Sequence, residues 1–424
     1  MGQLQSTTNV WLTVSPLIDK TVQRQLEIHW QNAPKNNNQN DWLGIYTTDP
    51  MDDSHAIYKV MVDQRINGDN LTNIQFPYRN FPTGKLTQEC LGYYVAYVHN
   101  NLIFAKNCMK NNPFWMENNL PIIGDRPLTA LVIPGTHDSG SYEKYDPKTK
   151  DVLKGFVITQ DESLYNQLVY GIRYLDLRVG YYNVTDSDVD GGGGGRGGDS
   201  DKLWIVHDLY RTDVTLRSAL EQIREFLESA PKEIVIVDFH RFVNGFTDEK
   251  DVDILKSRFR EWFDLVSGQL RDLMIPFSLG YGVTVNELIR QNKRVLVGFD
   301  MNSRKYLFSE LLWPNVRHQW AQTDSMDQLV KYFDRTLCPD NRHTLRSAMA
   351  ELTPTIEGII KLKYKSLRSL AQLTNSRYGQ WFGQRWPGQC LNVVASDFFL
   401  STNIVELALD LNRRTGRYSN RFFP

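Results

Sequence analysis

The stretch LVIPGTHDSG, residues 131–140, decides how the larger part of this chain folds. Leu131, Val132 and Ile133 make a short apolar run of strand type, which a Pro-Gly break closes. His137 and Asp138 follow at once. A buried strand gains nothing from such an ending, whereas a site built on strand ends does.

The same ending recurs along the chain. RYLDLRV (173–179) carries Asp176 and Arg178 near its end, LWIV (203–206) runs into His207 and Asp208, and EIVIVDF (233–239) into His240 and Arg241. RVLVGF (294–299) ends at Asp300 and NVVAS (392–396) at Asp397. Helical patterns lie between them. TLRSALEQIREFLES (215–229) sets Leu216, Leu220, Ile223 and Leu227 on one face, and further helices are expected near 250–266, 283–291 and 403–413. Apolar strands alternating with helices predict an α/β fold with a parallel sheet covered on both faces, either a barrel or a doubly wound sheet. In a barrel the C-terminal strand ends share one face, so residues far apart in the chain would meet there.

Their chemistry is coherent. Two histidines with carboxylates nearby suit a reaction in which one takes a proton and the other gives one. An arginine between them suits a phosphate, which it binds through two parallel hydrogen bonds. A metal is not expected, because neither HExxH nor a short His-x-His pair occurs and Arg178 would repel a cation from the same cluster. The glycine-rich run at 186–200 is no phosphate cradle, since the strand LWIV follows it rather than a helix; it reads as a loop insertion.

Residues 1–118 have another rhythm. LEIHW (26–30), DWLGIY (41–46) and LGYYVAYV (91–98) are short aromatic or β-branched runs between polar turns, which predicts a small all-β sandwich ahead of the domain at 119–424. The pair DWLGIY and GYYVAYV resembles the immunoglobulin-like sandwich of SKICH-type domains. What that sandwich binds is unknown.

Composition narrows the partners. With 48 basic and 49 acidic residues the net charge is -1, which provides no footprint for nucleic acid. Cys90, Cys108, Cys338 and Cys390 lack paired spacing and are expected to be free cytosolic thiols. No signal peptide or membrane span is evident. The start MGQLQS matches an N-myristoylation pattern at Gly2, which reads either as a lipid anchor or as chance.

IPGTHDSG, ITQDESLYNQLVYGIRYLDLRVG (158–180), LWIVHDLY and EIVIVDFHRF together resemble the X domain of phosphatidylinositol-specific phospholipases C, above all the X-domain-only proteins and the bacterial enzymes. The resemblance implies a distorted TIM-like (β/α) barrel. It implies cleavage of phosphatidylinositol to diacylglycerol and a cyclic inositol phosphate, with His137 as general base and His207 as general acid. Asp138 would support His207, Asp397 would orient His137, and Arg178 with Asp176 would complete the catalytic set. His240 and Arg241 would contact substrate. Calcium-dependent members bind the ion through positions that read here Asp138, Asp176, Arg178 and His240, so metal-independent catalysis is expected, as in the bacterial enzymes whose arginine replaces the metal charge. The alternatives are a catalytically silent lipid- or protein-binding protein and a phosphodiesterase for another phospholipid.

A bilayer substrate requires a membrane surface. SRYGQWFGQRWPGQ (376–389), with Tyr378, Trp381, Phe382 and Trp386 among arginines, suits an interfacial loop, or else fills the barrel rim. A cytoplasmic protein peripherally attached to membranes is expected.

Overall fold

The computed structural model describes residues 8–18, 22–34, 40–143, 154–182, 201–338, 343–386 and 388–419. Gly2 and the glycine-rich run at 186–200 lie outside these residues. Contacts divide the chain into two units: one of residues 1–79, 87–112 and 400–403, the other of residues 80–86, 113–399 and 404–424.

The first unit is built of antiparallel strands: β1 (Asn9–Val14), β2 (Gln25–Gln31), β3 (Trp42–Tyr46), β4 (Tyr58–Met61), β5 (Gly68–Gln75), β6 (Cys90–His99) and β7 (Leu102–Lys110). They form two sheets, ordered β1-β2-β5 and β4-β3-β6-β7. Leu26, Ile28 and Trp30 of β2 are buried, as are Leu43 and Ile45 of β3 and Val95 and Tyr97 of β6; Glu27 and His29, on the other face of β2, are buried as well. Gly68 lies against the Trp30 ring, where an added Cβ would come within 2.3 Å.

The second unit carries a parallel sheet ordered β14-β13-β12-β9-β8-β17-β16-β15. Its members are β8 (Ile133–Thr136), β9 (Tyr174–Tyr181), β12 (Val235–Phe242), β13 (Val295–Phe299), β14 (Leu312–Pro314), β15 (Arg317–Trp320), β16 (Arg346–Met349) and β17 (Val393–Ser396). The hairpin of β10 (Leu203–His207) and β11 (Tyr210–Thr215) hangs antiparallel on β9. Among the described residues no ladder joins β14 to β15, so the sheet is not closed by hydrogen bonds. Ile133, Tyr174, Ile236, Leu296, Trp313, Met349 and Val393, drawn from seven of these strands, share one buried cluster.

The helices follow the sequence closely. Leu216–Ser229 buries Leu216, Ala219, Leu220, Ile223, Phe226 and Leu227, while Thr215 caps it by accepting the Ser218 N–H instead of starting it. Asp251 and Thr284 cap Val252–Leu270 and Val285–Arg290 in the same way. Under the barrel Arg173 donates to Glu233 at 2.7 Å and to the Pro113, Leu168 and Ile172 carbonyls, and Glu233 also accepts the Met116 and Glu117 N–H groups. Both charges are buried and fully used, which is what such a pair needs to persist.

The expectation of free thiols is corrected. Cys90 is bonded to Cys108 across β6 and β7, and Cys338 to Cys390. The partners are 18 and 52 residues apart, so only the strand pairing and the barrel's return path bring them together; no short spacing could announce them.

Alkylation of the unfolded, unreduced chain is therefore expected to label no cysteine, and to label four after reduction; labelling before reduction would contradict the pairing. From the loop lengths, loss of the two bridges should cost about 3 and about 4 kcal/mol, read by denaturant unfolding. Arg173→Leu, which strands Glu233, should cost about 3–5 kcal/mol in the same measurement.

Candidate active site

The C-terminal ends of β8, β9 and β17 lie side by side, because β8 pairs with both of the others. His137 and Asp138 leave β8, Arg178 and Asp176 stand on β9, and Asp397 follows β17. His207 arrives from the other direction at the end of β10, which runs antiparallel along the top of β9. Asp138, Asp208 and Phe398, the residues directly after His137, His207 and Asp397, all have positive φ, at 41°, 50° and 46°. Each non-glycine residue in this region costs about 1 kcal/mol or more, and here it breaks the strand just where a functional side chain must turn inward.

His137 is held from both sides. Its Nδ1–H donates to Asp397 Oδ1 at 2.8 Å, and Arg178 Nη2 donates to its Nε2 at 2.8 Å. Guanidinium has donors only, so this geometry requires the neutral Nδ1–H tautomer with its lone pair on Nε2. Burial works against protonation of this imidazole, but the carboxylates of Glu351, Asp397 and Asp138 outweigh it and lift the group to about 10. The two pull against each other: the carboxylates draw a second proton to the ring, while Arg178 donating to Nε2 leaves that nitrogen no place for it, so the proton and the Arg178 contact exclude one another. His207 has the opposite surroundings. Its Nδ1–H donates to the Val157 carbonyl at 2.6 Å, and Nε2 lies 3.3 Å from Asp138 Oδ2. Both of its ring nitrogens thus face oxygen. The two rings stand 6.2 Å apart, nearly perpendicular.

Arg178 ties the acids together. Its Nε is 2.6 Å from Asp138 Oδ1 and its Nη2 3.4 Å from Asp176 Oδ2. Burial would lower its proton affinity, yet Asp138 and Asp176 raise it. Burial would likewise raise Asp176, but Arg178, His318 and His137 hold it well below the usual carboxylate range. Asp176 Oδ2 also accepts the Asp138 N–H. Gln160, fully buried, donates to the His137 and Ser396 carbonyls, and Asn375 to the Asp397 carbonyl. The geometry is thus set from behind by amides.

The structure brings His137, Asp138, Asp176, Arg178, His207 and Asp397 into one cluster. His240 lies beside it: its ring stacks on His318 at 3.4 Å, and Nδ1 is 3.2 Å from Asp238 Oδ2. Burial would lower His240, but Asp238 raises it; burial leaves His318 lowered. Arg241 is not brought in. A register shift in β12 sets it opposite Arg178, but it is exposed and pairs with the exposed Asp208 at 3.0 Å instead of with the buried acids. Asp300 caps the short turn Met301–Lys305.

The interfacial reading of Trp381, Phe382 and Trp386 is corrected. All three are buried, packed with one another, and Phe382 and Trp386 also pack on Phe333, while Trp386 Nε1 donates to Asp334 at 3.0 Å. Tyr378, also buried, donates to the Ala350 and Ala395 carbonyls. Their aromatic content serves the packing of the barrel's outer layer.

Sequence reasoning misses Glu351. It follows β16, which lies between β15 and β17 in the sheet, and both its oxygens are buried without a hydrogen-bond partner among the described residues. Burial pushes its carboxyl up to about 7. An acid directly after the short run SAMA is the available signal, but that run is too short and small to stand out as a strand.

Two groups among the described residues could converge on a metal: His137, Asp138 and Asp176, and Asp238, His240 and His318. Neither fits calcium. In the first, the Arg178 guanidinium already lies against both acids. In the second, the imidazole planes are parallel, with 1° between them, so their lone pairs do not converge, and nitrogen donors do not suit a hard cation.

Residues 131–273 match the family model described as phosphatidylinositol-specific phospholipase C, X domain. The chain is 25% identical over 331 residues to PI-PLC X domain-containing protein 1 of Homo sapiens, covering 73% of this chain and 94% of that one. To PI-PLC X domain-containing protein 3 of Danio rerio it is 26% identical over 325 residues, 70% and 92% of the two chains. Among solved structures, a mutant of the phosphatidylinositol-specific phospholipase C from Staphylococcus aureus is similar with a TM-score of 0.52 at 17% identity, covering 71% and 97%. That likeness assigns the second unit's fold, a TIM-like barrel of the same type.

With Glu351 raised to about 7, the folded chain keeps this proton after the unfolded chain has lost it at about 4.5, so the group's stability contribution is full below about 4.5 and gone above about 7. Glu351→Gln should therefore gain on the wild type by about 1–3 kcal/mol between pH 5 and pH 8 in denaturant unfolding. A difference independent of pH would show that the carboxyl is ionised throughout.

Proposed function

We propose that this chain, similar over residues 131–273 to the X domain of phosphatidylinositol-specific phospholipase C, is a phosphodiesterase of the phospholipase C type. One observation carries the proposal: His137 and His207 stand 6.2 Å apart, Nε2 of the first against the Arg178 guanidinium and Nε2 of the second against the Asp138 carboxylate. That is the complement of an internal displacement at phosphorus.

In this reading the inositol 2-hydroxyl gives its proton to His137 Nε2, displacing the Arg178 contact, and its oxygen attacks phosphorus. The bond from phosphorus to the glycerol oxygen breaks, and His207 gives its proton to that oxygen. Diacylglycerol leaves, and the phosphorus keeps both inositol oxygens as a cyclic diester. Asp397 steadies the imidazolium that forms on His137. Arg178, released toward the phosphate, balances charge on the non-bridging oxygens, the work a calcium ion would otherwise do. The reaction is metal-independent in this account.

Phosphatidylinositol at a membrane surface is the substrate we infer. The paired cysteines favour an oxidising compartment over the expected cytoplasm. The order of the first unit's strands, with β4 beside β3, supports an immunoglobulin-like sandwich. A catalytically silent lipid-binding protein is the second reading, favoured by the Asp138 carboxylate lying against both Arg178 and His207.

Turnover of phosphatidylinositol vesicles tests this. His137→Ala and His207→Ala should each lose about 10²- to 10⁴-fold. EDTA should leave the wild type unchanged. Activity that needs calcium would overturn the role of Arg178, and no turnover by the folded wild type would favour the silent reading.

A further inference from the structure

The segment IEGIIKLKYK, residues 356–365, stands between two parts of the site. Glu351 precedes it, and the helix Leu367–Asn375, whose Asn375 holds the Asp397 carbonyl, follows it. It is the short helix Ile356–Ile360, capped by Thr355, and the turn after it, folded around one buried ring. The Tyr364 hydroxyl donates to the Thr355 carbonyl at 3.0 Å and accepts the Thr355 N–H, and its ring packs edge-on against Phe156. Phe156 directly precedes Val157, whose carbonyl holds His207. Gly358 is required here, since an added Cβ would lie 2.0 Å from the Tyr364 hydroxyl. Arg368 anchors the far end through two bonds to Asp161, next to Gln160.

What this mount presents is unusual. Ile356, Ile360 and Leu362 are 79%, 75% and 85% exposed. Lys361, Lys363 and Lys365 alternate with Leu362 and Tyr364 and are exposed as well. Lys361 and Lys363 pair with Glu357 and Asp324, but such surface pairs contribute little and yield readily to a stronger field. Leu362 has φ 53°, a conformation that asparagine or glycine adopts more readily, so neither burial nor backbone calls for leucine. Across the cluster Leu209, two residues past His207, is 81% exposed at the tip of the β10–β11 hairpin.

We infer that residues 356–365 dock on an anionic phospholipid bilayer, the three aliphatic side chains entering the headgroup layer and the lysines meeting lipid phosphates. Apolar tips interleaved with cations match such a layer, which offers hydrocarbon below and negative charge above. The inference rests on the proposed function for its biological sense, because docking there would carry the histidine cluster to a lipid substrate. It does not rest on turnover.

The test is sedimentation of the full chain with vesicles of phosphatidylcholine alone and of equimolar phosphatidylcholine and phosphatidylglycerol, neither of which contains an inositol lipid. The wild type should partition onto the anionic vesicles. Ile356→Ser, Ile360→Ser and Leu362→Asn together should lower that partition about tenfold or more. Lys361→Gln, Lys363→Gln and Lys365→Gln should remove the preference for anionic lipid, at about fivefold per lysine. Thermal unfolding identifies any triple variant that misfolds, in which case Ile360→Ser alone is read in its place. His137→Ala should bind as the wild type does even if neither protein turns over lipid, which separates failure of this inference from failure of the enzyme reading. Unchanged binding by the folded aliphatic variant overturns the inference. So does a wild type that ignores both vesicles, whether it stays monomeric or self-associates through these residues.

Discussion

The arrangement depends on one guanidinium. Arg178 and the His137 ring it touches sit among Asp138, Asp176, Asp397 and Glu351, four buried carboxyls against a single permanent cation. Buried charges interact more strongly than exposed ones, so the surplus of acid must be met by protons. One proton stays on Glu351, whose ionisation is delayed to about 7. Another is drawn to His137, whose affinity is raised, as soon as Arg178 leaves its Nε2. A bound phosphodiester would add one more negative charge to the same space. The site is thus poised to hold protons, which acid–base work on such a diester needs.

Geometry converts this charge balance into distinct roles. The same Asp138 carboxylate that pairs with Arg178 stands 3.3 Å from His207 and 3.5 Å from His137. What separates the two histidines is their second partner, an aspartate and a guanidinium for one, a backbone carbonyl for the other. Left-handed residues just after His137, His207 and Asp397 aim these groups, and the amides of Gln160 and Asn375 fix the turns. Because β8 lies between β9 and β17, the sheet order itself assembles the cluster.

Much of this is legible in the residues. Apolar runs ending in His or Asp mark β8, β10, β12 and β17, since a buried parallel strand is apolar throughout and its functional residue must stand at the end. The helix capped by Thr215 is legible for the same reason, its period being unbroken. Glu351 and His318 are not, because β16 and β15 are four-residue strands of mixed composition that carry no pattern. The tryptophans at 381 and 386 mislead, since an aromatic, arginine-rich run has the same composition whether it faces a bilayer or Phe333. The surface that is exposed, at 356–365, has only modest hydrophobicity in sequence, and it is the Tyr364 anchor that turns its aliphatic residues outward.

The most direct measurement is nitrogen NMR of the imidazoles in chain labelled at histidine, assigned with His137→Ala and His207→Ala. The account expects His137 with a proton on Nδ1 and none on Nε2, and His207, at the same pH, with a proton on Nε2. Two histidines in the same protonation state, or a His137 protonated on Nε2 while Arg178 is in place, would contradict it.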